Sequence, residues 1–96
     1  MATHIILVNF TDQGVKNVKT SPDRVESFTK LAGELGVKVE SAFYTVGSFD
    51  IVLVVDGTDE SVATAVLNAA ATGNVRSQTM RAFSVDQMRE IVSGVS

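Results

Sequence analysis

The 96-residue chain contains no cysteine and no tryptophan, and only one proline, one tyrosine and one histidine. Without cysteine there is no disulfide, no thiolate nucleophile and no zinc site of the cysteine kind, and the composition fits a reducing compartment. A lone histidine leaves no cluster of ligands to hold a metal, so no metal and no cofactor is expected. Cationic charge is scarce too. Eight Lys and Arg stand against eleven Asp and Glu, for a formal net charge of -3, and that balance lacks the basic footprint of a nucleic-acid binder. No apolar run is long enough to span a bilayer, and the start Met1-Ala2-Thr3-His4 lacks the basic flank and cleavage region of an export signal. The expectation is a cytoplasmic protein that engages neither membrane nor nucleic acid. Gly-x-Gly and Gly-Lys-Ser/Thr patterns are missing, so the ordinary phosphate loops are excluded; Gly73-Asn74 after an alanine-rich segment reads as a helix stop.

What is present is 45% hydrophobic residues in a length that suits a single domain, residues 1–96. His4 to Phe10 is a short β-branched and apolar run, a first strand closed by Thr11-Asp12-Gln13-Gly14. A long polar loop follows, with Gly14 available for a positive φ and one irregular helical turn around Val15 to Lys19. Ser21-Pro22-Asp23 reads as an N-cap, a first-position proline and a first-turn acid. The helix they open carries Val25, Phe28, Leu31, Ala32 and Leu35 on one stripe, and Gly36 stops it. Val37 to Val46 and Phe49 to Asp56 read as strands two and three, joined by Gly47-Ser48 in a type II′ hairpin turn. Thr58 caps a second helix, with Val62, Ala63, Val66, Leu67 and Ala70 as its buried face and Gly73 as its end. Asn74 to Phe83 is a more polar fourth strand, as befits an edge. Ser84-Val85-Asp86-Gln87 has the capping-box form and opens a third helix bearing Val85, Met88, Ile91, Val92 and Val95.

This βαββαβ order, plus a terminal helix, predicts an α+β fold of ferredoxin-like topology. Its antiparallel sheet has spatial order 4-1-3-2 with both long helices on one face. In a monomer the other face should be polar. It is not: Ile5 and Leu7 oppose Ile6, Val8 and Phe10 in strand one, and Val52 and Val54 oppose Phe49, Ile51, Leu53 and Val55 in strand three. The simplest cover for a greasy sheet is an equivalent sheet on a two-fold axis, a homodimer of the dimeric α/β barrel type. The terminal helix, folded across its own sheet, is the structural rival.

The hairpin residues Val46-Gly47-Ser48-Phe49-Asp50-Ile51-Val52 resemble the signature of the GYD-domain family, small bacterial and archaeal proteins named for a Gly, Tyr, Asp motif. Phe10 through Gly14, Ser21-Pro22, Gly36-Val37-Lys38-Val39, Gly73 through Arg76 and Arg81-Ala82-Phe83 are similar in type and order. The resemblance implies a ferredoxin-like dimeric α/β barrel and no defined chemistry. Gly47 and Asp50 match the motif, whereas Phe49 stands where the family usually has tyrosine, so a role needing a phenol hydroxyl there is not supported.

Five residues are candidates for binding a ligand. Asp50, beside a tight turn at the head of an apolar strand, is either a carboxylate held in a pocket or an acceptor for hairpin backbone N–H groups. His4 is the only imidazole, and its place at the start of strand one equally suits packing. Asn9, Tyr44 and Arg81, with Arg76 and Gln78, are polar groups set within strands that would orient a ligand in an apolar cavity, or else are solvated edge residues. The loop of Asp12, Gln13, Gly14, Lys16, Asn17 and Lys19 reads as a lid or a plain connector. The first functional reading is a dimer that binds a small apolar or aromatic molecule in the barrel cavity. An enzyme is the second, a cofactor-independent monooxygenase or isomerase of small aromatic compounds, by fold analogy. The third is a structural or regulatory oligomerisation module.

Overall fold

The computed structural model describes residues 2–96. Strand β1 (Ala2–Phe10) leads through two short turns, α1 (Asp12–Lys16) and a 3-10 turn (Val18–Thr20), into α2 (Ser21–Glu34). Strands β2 (Lys38–Tyr44) and β3 (Ile51–Gly57) follow, then α3 (Asp59–Ala71), β4 (Val75–Ala82) and α4 (Val85–Val92). The four strands form one sheet in the order β2-β3-β1-β4, which is 4-1-3-2 read from the other edge, and all pairs are antiparallel. The more polar β4 is indeed an edge.

Cross-strand register divides the side chains between the faces. His4, Ile6 and Val8 stand opposite Val55, Leu53 and Ile51 on the face beneath α2 and α3, and all six are buried. With Ala32, Val37, Val62 and Ala65 they make the core. On the opposite face lie Ile5 and Leu7 of β1, Val52 and Val54 of β3, Phe43 of β2 and Met80 of β4. Helix α4 does not cover them: every residue from Phe83 to Ser96 is exposed, although the capping box of Ser84 and Gln87 forms as expected. The intramolecular rival to a second copy is therefore not what this chain adopts.

Four local expectations need correction. The Gly47-Ser48 link is not a type II′ turn: the strands part at Tyr44 and resume at Ile51, and among the described residues only Gly36 and Gly73 have positive φ. Asp50 donates its N–H to Val8 O at 2.8 Å and its carbonyl accepts from Thr45 N–H at 2.8 Å, which closes a loop wider than a two-residue turn. Gly14 serves close approach and not a positive φ, because a Cβ there would collide with Asn74 O. Ser21 is not the N-cap; the preceding 3-10 turn runs straight into α2, Thr20 takes the cap position without a side-chain bond, and Ser21 is buried. On α3 the inward stripe is Val62, Ala65, Val66 and Ala69, a step of three and four that excludes Ala63 and leaves Leu67 68% exposed.

Candidate functional site

The helix-covered face does not close completely. The inward stripe of α3 is half alanine, and these small side chains leave a cleft of about 220 Å³ between α2, α3 and the sheet. Its walls are mainly apolar: Ile6 and Val8 from β1, Leu53 from β3, Phe28 and Leu31 from α2, Val66 from α3. The volume exceeds the roughly 150 Å³ apolar cavity that takes up benzene, so one substituted aromatic ring or a short alkyl chain fits.

Polar groups gather at one part of this wall. Ser21, Arg24 and Asn74 all line the cleft. Arg24 Nη1 donates to Asn17 O at 3.0 Å and to Thr20 Oγ1 at 2.6 Å, while its Nη2 is buried and has no partner. Asn74 is buried, and its Oδ1 accepts from Gln13 Nε2 at 3.0 Å and Asn17 Nδ2 at 3.4 Å. Asn17 therefore touches both Arg24 and Asn74. Gln13 also donates to Thr72 O at 3.0 Å, and Thr11 is bound to both Gly73 O and Asn74 O. The segment after β1 is thus fastened across the end of α3 as a packed connector.

The candidates from the sequence do not converge on one site. Tyr44 comes nearest: it lies on the helix side of edge strand β2, and its hydroxyl meets Ser21 Oγ at 2.8 Å beside the cleft. Asp50 accepts from the backbone N–H of Phe10 at 2.8 Å through Oδ2, which continues the β1–β3 ladder by one side-chain rung. His4 and Arg81 are cross-strand partners and meet at Asp59, whose Oδ1 is 2.9 Å from His4 Nε2 and 3.9 Å from Arg81 Nε. The other ring nitrogen of His4, 4% exposed as a residue, faces Ala2 O at 3.2 Å, so no nitrogen is left for a substrate. From His4 to the Asp50 contact at Phe10 the strand spans about 20 Å at roughly 3.4 Å per residue, so these groups cannot act on one small molecule. Asn9 lies on the uncovered face with Arg76 and Gln78, around a shallow hollow that Leu7 and Ser77 complete.

Reading the sequence missed Arg24, Ser21 and Asn74 as cleft residues. Arg24 looked like one more polar helix position, Ser21 like a cap and Asn74 like the residue after a helix stop. A sequence signal existed for Ser21 and Arg24, which stand four positions before Val25 and Phe28 and so share a face with the apolar stripe. On the uncovered face, Asp56 is held below the ordinary carboxylate value, chiefly by the hydrogen bond from Thr3 Oγ1 at 2.6 Å, with the side chain of Glu40 and the positive charges of the chain terminus and Lys38 contributing. No group of three or more potential metal-ligating side chains occurs among the described residues, and no helix among them is long and apolar enough to cross a membrane.

Known proteins resemble this chain over nearly its whole length. A Thermus thermophilus protein described as a glutamine synthetase and cystathionine beta-lyase binding protein is 33% identical over 87 residues, 88% of this chain and 92% of that one. The crystal structure of TTHA0845, also from Thermus thermophilus, matches with a TM-score of 0.55 at 23% identity, covering 88% of this chain and 96% of the other, and shows the same fold. The model of the GYD domain matches residues 4–92, and the chain belongs to the GYD-domain family.

Proposed function

We propose that this protein is a small-molecule-binding dimer that holds an apolar or aromatic molecule in the cleft beneath α2 and α3. The observation that carries this reading is the cleft itself, an apolar hollow of about 220 Å³ with a few polar groups on one wall. The uncovered sheet face supports the dimer: Ile5, Leu7, Phe43, Val52, Val54 and Met80 share it, with Phe43 62% exposed. Fully burying such side chains is worth about 1.5–3 kcal/mol each, and sheet-on-sheet packing with a second copy would gain it. A cytoplasmic location fits the lack of cysteine.

Titration with a neutral probe, 3-phenylpropanol, tests the cleft by methyl NMR. The probe should shift Leu31, Leu53 and Val66 in a saturable way, and Ala69→Trp, which fills the cleft from α3, should abolish the response. Shifts confined to the uncovered face would place binding elsewhere and end this reading.

A second reading, a protein-binding module, is favoured by the relative whose description names two enzymes as partners. The exposed amphipathic α4, with Val85, Met88, Ile91 and Val92 all open to solvent, offers a surface for it. Sedimentation of this chain with glutamine synthetase separates the readings: co-migration lost on truncation after Phe83 supports the module, and independent migration removes it.

A further inference from the structure

The cleft's polar wall is unfinished in a specific way. Arg24 carries a permanent charge, yet both of its hydrogen bonds go to neutral oxygens, and no ion pair among the described residues includes it. Its Nη2 is buried without an acceptor, so it meets a ligand only when the side chain turns towards the cleft. The remaining groups nearby are also biased towards donation. Asn74 accepts through Oδ1, which leaves its amide nitrogen as a donor, and Ser21 and Tyr44 share one hydroxyl hydrogen bond and keep a second proton to give.

We propose that the molecule held in the cleft is a small carboxylic acid, an arylalkyl or short-chain alkyl acid, with its apolar body along Phe28, Leu31, Leu53 and Val66 and its carboxylate paired with Arg24. A single guanidinium balances one negative charge, which suits a carboxylate and not a phosphate dianion, and with Nη1 committed to Asn17 O and Thr20 Oγ1 it is the Nη2 group that has N–H donors to give. The rest of the wall is largely apolar, with Ser27, Asn68, Thr72 and Ser77 as its other polar residues and no second cation, which excludes a polyanionic body.

This inference rests on the cleft being a ligand site, and the test separates the two. Two probes of the same length, 3-phenylpropanoate and 3-phenylpropanol, are titrated at pH 7 into the full-length protein and into Arg24→Met and Ala69→Trp, with the Leu31, Leu53 and Val66 methyl signals as readout. The wild type should bind the carboxylate about tenfold or more tightly than the alcohol, as a charge-assisted contact requires. Arg24→Met should bind the two alike, and Ala69→Trp should bind neither. If the wild type binds both equally, or the alcohol more tightly, the acid proposal falls while the cleft stands; if it binds neither, both fall. The wild-type comparison decides the matter even if Arg24→Met does not fold.

Discussion

Asp50 puts its carboxylate on the N–H of Phe10, the last donor of β1, at 2.8 Å. Replacing it by alanine strands that donor near the sheet end, so Asp50→Ala should lower unfolding free energy by about 1–3 kcal/mol, whereas Asp50→Asn, which keeps an acceptor, should lose less than half as much. Chemical denaturation of both variants checks this. Gly14→Ala should also be costly, about 1–3 kcal/mol, because its Cβ would run into the Asn74 carbonyl and the backbone has to move. At Asp56 the depressed carboxyl implies a stabilising contribution that is fully present above the unfolded-state value and fades as pH falls through the lower folded-state value. Thr3→Val, which removes the leading cause of the depression, should raise the midpoint of Asp56 in a carboxyl-carbon NMR titration. An unchanged midpoint would show that the Thr3 hydroxyl does not hold that carboxylate down.

Among the elements, α2 was fully legible in its apolar stripe because Val25, Phe28, Leu31, Ala32 and Leu35 leave one choice of face, and all of them pack inward. Helix α3 was less so. Its sequence offers Ala63 and Leu67 as readily as Ala65 and Ala69, and hydrophobicity alone cannot rank an alanine-rich helix; proximity to Val37 and β3 settles it with Val62, Ala65 and Val66 inside. That ambiguity is also why the cleft was invisible: a cavity is defined by what small residues fail to fill, and Ala69 gives no positive signal. The hairpin misled because Gly47-Ser48 has turn chemistry, while the hydrogen bonds of Asp50 with Val8, Phe10 and Thr45, which no local pattern encodes, close a wider loop. Truncating the chain after Phe83 should change the unfolding free energy of a dilute sample by no more than about 0.5 kcal/mol, since α4 is exposed along its length. Leu53→Ala, from a core strand position, should cost about 2–5 kcal/mol in the same experiment.

At the scale of the whole molecule, one sheet carries apolar side chains on both faces, and two helices cover only one of them. The principal extents of 51 × 30 × 18 Å describe a thin slab with α4 standing off it, a shape with much surface for its core. Self-association through the uncovered face would double the layers, and Val54→Lys in the middle of that face should shift sedimentation equilibrium from dimer to monomer without disturbing the helix-covered side. The candidate site belongs to the other face, between sheet and helices, so the proposed ligand binding and the proposed dimer can be tested separately. The account stands most directly on native mass spectrometry of freshly purified protein. It predicts two chains carrying a small retained molecule, with Ala69→Trp giving two chains of bare mass; a wild-type protein that is bare and monomeric at micromolar concentration would contradict it.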